Sequence, residues 1–164
     1  MTRSPHILLV EALYYAHIAE QLRRGAERAL AAAGATHELV SVPGAFEIPA
    51  AIGVVSRATK RFDGYVALGC VIRGETTHYD HICAECARGL QDLAVRDGLA
   101  IGFGVLTVEN EAQALARASA ESRDKGGEAV RACLALVDLK RRLTGEEHDY
   151  ADGVATRQSA GGRG

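Results

Sequence analysis

Tryptophan is absent from the 164-residue chain, which carries only three Phe and five Tyr. Any core it builds must be aliphatic, so an aromatic residue in a turn stands out. Neither charge sign dominates: 19 Lys and Arg against 21 Asp and Glu leave a formal net charge of −2. That is not the basic footprint with which a chain recognises nucleic acid or an anionic membrane. No apolar run approaches the roughly 20 residues a membrane-spanning helix needs. The first apolar run, within MTRSPHILLVE, stops at Glu11, too short for a signal peptide. Without a secretory signal, the four cysteines are expected to be free thiols in a reducing cytoplasm.

What is present alternates between short apolar runs and longer helical periods. The length suits one domain with a genuine core. HILLV (6–10) reads as a buried strand, and the stripe Ile18, Leu22, Ala26, Ala29, Leu30 reads as a helix ending near Gly34. ELVSV (38–42) is a second strand closed by Pro43-Gly44, and 48–59 a short helix. A third strand begins at Tyr65, with Gly69 and Gly74 bracketing the loop after it. Residues 81–96 read as helix, 99–106 as a fourth strand and 111–122 as helix. Gly126-Gly127 is expected to break the chain before a last helix to about Leu143. Strands separated by helices argue for parallel βαβ units and a three-layer α/β/α sandwich. Ligands bind such sheets beyond the carboxyl ends of the strands, so residues 11–16, 43–49, 69–78 and 107–111 are where a site belongs. Residues 1–144 form the expected domain. From Gly145 to Gly164 there is almost nothing to bury, and a disordered tail is expected.

Chemistry-bearing residues crowd into RGETTHYDHICAEC (73–86). His78, His81, Cys83 and Cys86 resemble a metal set. On one helix, however, Cys83 lies roughly 160° around the axis from His81, and the two side chains do not meet at one tetrahedral zinc. CAEC (83–86) resembles a redox pair, but it falls inside a helix rather than opening one, where the dipole would activate the first thiol. Small buried fillers are the better account of these cysteines. In RGETTH, Gly74 permits a tight turn and Thr76 or Thr77 can cap the following helix. Free N–H groups at that helix start make an anion site, with His78 beside it. Elsewhere, PGAFEIP (43–49) puts Phe46 and Glu47 in a turn, either as an aromatic wall with a hydrogen-bonding carboxylate or as ordinary packing and helix-start charge. Tyr14 and Tyr15 after the first strand either stack on a planar heterocycle or cover the sheet edge. Arg117, Lys125 and Glu128 are cation and carboxylate candidates near a phosphate, or solvated surface charges.

Together these segments resemble one family. VPGAFEIP (42–49), ALGCVIRGETTHYD (67–80), GVLTVEN (104–110) and Arg117 followed by DKGGEA (124–129) stand in the order and spacing of lumazine synthase, over about residues 6–143. The resemblance implies a flavodoxin-like core with a four-stranded parallel sheet, assembled into pentamers whose sites lie between subunits. It implies condensation of 5-amino-6-(D-ribitylamino)uracil with 3,4-dihydroxy-2-butanone 4-phosphate to 6,7-dimethyl-8-ribityllumazine, phosphate and water. No metal or organic cofactor is implied, and no nucleic-acid or membrane partner. By position, Tyr14 matches the aromatic that stacks on the pyrimidine. Ala45, Phe46 and Glu47 match the segment that holds ring and ribityl chain. Cys70 stands where many members have Thr, while Val71 and Ile72 match contacts to the ring. Glu75 and Thr76 match the phosphate turn, and His78 the proton shuttle. Phe103 and Arg117 match groups supplied by the neighbouring subunit, and Lys125 and Glu128 the charged pair near that arginine. A short lead before the first strand, and SAESRD (119–124) in place of a Gly-Asn turn, favour pentamers over sixty-subunit capsids. The alternative is a paralogue that binds a lumazine or flavin without catalysis.

Overall fold

The computed structural model describes residues 3–145, so the tail expected from Gly145 onward lies, apart from Gly145 itself, outside the described residues. Four strands, β1 (His6–Ala12), β2 (Thr36–Val42), β3 (Gly64–Ile72) and β4 (Ile101–Val108), alternate with helices α1 (Ala16–Ala32), α2 (Ile48–Ala58), α3 (His78–Asp97), α4 (Glu111–Ala118) and α5 (Lys125–Thr144). The strands form one parallel sheet in the order β2-β1-β3-β4. This is the three-layer, flavodoxin-like arrangement.

Strand alternation divides the core into two halves. Ile7, Leu9, Val66, Leu68 and Leu106 face α1, α4 and α5, whereas Leu8, Val10, Ala67 and Val105 face α2 and α3. Ile7, Leu9, Ile18, Leu22 and Leu68 are fully buried, and each such side chain contributes about 1.5–3 kcal/mol relative to exposure. The chain leaves β1 toward one neighbour, β2, and later returns to pair β3 on its other side. Right-handed crossovers then place α1 and α2 on opposite faces. The gap between the carboxyl ends of β1 and β3 is the topological switch point, where a parallel sheet leaves room for a ligand.

Two glycine readings change. Gly69 lies within β3, which runs on to Ile72; a Cβ there would approach the Ala12 Cβ to 3.2 Å, so the sheet itself selects glycine. Gly126 and Gly127 open α5 rather than interrupt the chain. A Cβ on Gly126 would lie 2.0 Å from the Leu22 carbonyl oxygen, so glycine is what lets α5 cross α1 backbone to backbone. Asp124 takes the left-handed conformation that short polar side chains tolerate, and its carboxylate accepts from the Gly127 N–H at 3.2 Å to cap α5. Helix α4 stops at Ala118, four residues before its expected end. Helix α3 begins at His78, three residues before.

Several large apolar side chains are left uncovered, among them Val54 on α2, Val95 on α3 and Phe103 on the edge strand β4. Among the described residues no helix is long and apolar enough to cross a membrane.

Candidate active site

At the switch point the chain forms a cleft of about 650 Å³, walled by the segments that follow β1, β2 and β3. That volume suits a small organic molecule. Tyr14 and Tyr15 come from the end of β1, Ala45, Phe46 and Glu47 from a single 3₁₀ turn, and Cys70, Val71 and Ile72 from the last residues of β3. Thr76 and His78 come from the turn into α3. Tyr14 and Phe46 are 76% and 56% exposed, so neither aromatic residue fills the core. The Tyr14 and Tyr15 rings meet edge to face, with centroids 5.0 Å apart. Tyr15 is half-buried, and its carbonyl accepts from the Ile18 and Ala19 N–H groups at 3.0 Å, so the same residue starts α1. Burial, and then the neighbouring Tyr14, raise its pKa.

Glu47 serves two ends at once. Its Oε2 accepts from the Gly44 N–H at 3.0 Å and closes the turn, while Oε1 has no partner among the described residues. The bond to Gly44 meets the local reading of this carboxylate, and it leaves the second oxygen available to a ligand.

His78 is the first residue of α3, not a loop residue. Its N–H donates to the Thr76 hydroxyl at 3.3 Å, while Thr77, at the N-cap, makes no side-chain capping bond. The amides of Gly74, Glu75, Thr76 and Thr77 find no acceptor among the described residues. Unpaired amides at a helix start, with the helix dipole behind them, are the kind of donor an anion can use. The His78 ring is exposed and makes no hydrogen bond among the described residues.

The remaining candidates do not line this cleft. Glu75 is exposed on the turn and is not among the residues that line the cleft, and Phe103 is half-exposed on β4. Arg117, in the last turn of α4, donates from Nη1 to the Gln113 carbonyl at 3.0 Å, and Lys125 pairs with Glu128 at 2.7 Å in the first turn of α5. Within one chain none of these groups lines the cleft that His78 lines. Conversely, Pro43, Gly44, Gly74, Tyr79 and Ile82 line the cleft without having been singled out for it. Tyr79 and Ile82 were legible in principle, since residues 78, 79 and 82 share one side of a helix.

The cysteines divide by depth. Cys86 and Cys133 lie in the two core halves, and Cys70 sits at the cleft wall. Burial pushes each of these thiols up to about 12, so they stay protonated at neutral pH. Cys83 is half-buried and rises less. Among the described residues no three His, Cys, Asp or Glu side chains converge as metal ligands would. A second groove of about 450 Å³, between α2 and α3, is lined by Arg57, Asp92, Arg96 and Asp97 and carries no nucleophile or imidazole.

Comparison with known proteins agrees with this geometry. The profile of the family described as 6,7-dimethyl-8-ribityllumazine synthase matches residues 4–141. The chain is 53% identical over 146 residues to 6,7-dimethyl-8-ribityllumazine synthase 1 of Rhizobium meliloti (strain 1021), covering 87% of this chain and 95% of that protein. It is 55% identical over 138 residues to the synthase of Sphingopyxis alaskensis, covering 84% and 96%. It is also 55% identical over 141 residues to that of Methylocella silvestris, covering 84% and 86%. A four-stranded parallel sheet with this cleft at its switch point, matched over nearly all its described length, makes the chain a member of the 6,7-dimethyl-8-ribityllumazine synthase family, transferases of riboflavin biosynthesis.

Proposed function

We propose that the chain condenses 5-amino-6-(D-ribitylamino)uracil with 3,4-dihydroxy-2-butanone 4-phosphate in this cleft, in the cytoplasm, as a pentamer with sites shared between neighbours. The carrying observation is the juxtaposition of an exposed imidazole, His78, with a turn of unpaired amides and two exposed aromatic residues. The aromatic residues suit a flat pyrimidine, and the free Glu47 Oε1 suits ribityl hydroxyls. The Gly74–Thr77 amides suit the phosphate.

The chemistry asks mainly for proton transfers. The 5-amino group adds to the ketone, and the carbinolamine loses water to an imine. Phosphate then leaves by elimination, and the ribityl-bearing amine closes the ring with loss of water. His78 takes and returns protons at these steps, as an imidazole can near neutral pH. Holding the two substrates face to face supplies much of the remaining acceleration. Cys70, a protonated thiol, contributes wall and at most a weak donor. Phe103, Arg117, Lys125 and Glu128 complete the neighbour's cleft in this reading, with the Arg117 guanidinium on the phosphate. That none of the four lines the chain's own cleft, and that Val54, Val95 and Phe103 are uncovered, support a shared site.

The test separates enzyme from binder. With the pyrimidine alone the protein should only bind; with both substrates it should release phosphate as the lumazine absorbance grows. A protein that binds the pyrimidine yet leaves the condensation at its protein-free rate would be the non-catalytic paralogue.

A further inference from the structure

Arg73 directly follows β3 and touches both the end of β4 and the first turn of α3. Its backbone N–H donates to the Val108 carbonyl at 2.9 Å, tying it to the end of β4. Its Nε donates to Glu109 Oε2 at 2.9 Å, just past β4, and its Nη1 to Asp80 Oδ1 at 3.2 Å in the first turn of α3. The guanidinium lies 4.2 Å from the centre of the Tyr79 ring, which walls the cleft. Glu109 is itself held, since its N–H donates to Gln113 Oε1 at 2.9 Å. Between these anchors the turn 74–77 has little else to fix it. Its amides are unpaired, and its internal bonds are those from His78, Asp80 and His81 N–H groups to Thr76 and Thr77 oxygens.

We propose that Arg73 is a positioning residue: with Glu109 and Asp80 it fixes the 74–77 turn and the first turn of α3, and so sets where the phosphate cradle and His78 stand. This rests on the functional reading above and deepens it. A planar fork is needed, because Nε and Nη1 address two carboxylates while the flat face covers Tyr79. Lysine offers a single point charge and no fork. All three charged side chains are partly exposed, so the network adds little to global stability. Its effect falls on local geometry, where small displacements cost large factors in rate.

The test uses Glu109→Ala and Arg73→Lys in the full chain, with inorganic phosphate binding as the first readout and steady-state kinetics as the second. Glu109→Ala removes a negative charge near the cradle, so Coulomb attraction alone would tighten phosphate binding. Positioning predicts the opposite: phosphate held about tenfold more weakly, kcat down by about tenfold or more, KM raised for the butanone phosphate but not for the pyrimidine, and melting close to wild type. Arg73→Lys, which keeps the charge, should show the same pattern. Glu109→Ala binding phosphate as tightly as or more tightly than wild type, or both KM values moving together with the melting temperature, would overturn the role. A wild-type protein that binds no phosphate contradicts the parent reading, and the role of Arg73 with it, before any variant is made. One that binds phosphate but does not turn over contradicts only the catalytic reading, and the phosphate comparison still decides on Arg73.

Discussion

Arg23→Ala is the substitution whose cost follows most directly from the structure. Glu11, near the end of β1, has a side chain only 2% exposed, and Arg23 of α1 donates to both its oxygens, at 2.9 and 3.1 Å. Ser41 of β2 adds one further donor at 3.0 Å. Truncating Arg23 strands a carboxylate in the core with a single hydroxyl, and uncompensated buried charges of this kind cost about 3–5 kcal/mol. Because Arg23 is itself 30% exposed, some water follows the lost side chain, and the lower end, about 3 kcal/mol, is expected. At about 2–4 °C per kcal/mol for a domain of this size, the melting temperature should fall by about 6–12 °C at fixed protein concentration. Glu11→Leu with Arg23→Met replaces the pair by apolar groups of similar volume and should recover to within about 1 kcal/mol of wild type. Urea denaturation of the three proteins side by side decides the matter. A single variant costing under about 1 kcal/mol, or a double variant as unstable as the single, would refute the buried-charge argument.

Other expectations follow from the same geometry. Gly126→Ala forces a methyl against the Leu22 carbonyl and should destabilise by about 1–3 kcal/mol or more, measured by the same denaturation. His78→Ala should lower kcat by about 10–10³-fold with little change in pyrimidine binding; an unchanged kcat removes His78 from the mechanism. Of the four thiols, Cys83 should react first with a disulfide reagent at pH 8, ahead of Cys70, Cys86 and Cys133. The last three bind their protons more tightly folded than unfolded. The stability they add is therefore whole below about pH 9 and is lost as pH climbs toward 12, which a series of melts above pH 8 will show as a steepening decline.

The strand runs and helical stripes made most of the fold legible, because a parallel sheet buried on both faces writes itself as continuous apolar sequence. Glycines misled where tertiary contact, not local conformation, had selected them. Gly69 reads as a loop marker yet sits in β3 beside Ala12, and Gly126-Gly127 read as a break yet start α5 against α1. The cleft residues after β1, β2 and β3 were legible because the topology fixes which loops converge. Arg73 was passed over although it stood in the quoted motif. Its importance lies in contacts with Glu109, thirty-six residues away, which no local pattern displays.

The claim on which the account rests is that a cleft holding His78 is completed by Arg117 of a neighbouring subunit. It is tested most directly by mixing two weak variants, Arg117→Ala and His78→Ala, under conditions where subunits exchange. Mixed assemblies should contain interfaces carrying both lesions and interfaces carrying neither, so lumazine formation should rise well above the sum of the separate proteins. Activity that stays at that sum despite exchange, or full wild-type activity from a species that light scattering reports as a monomer, would contradict the shared site.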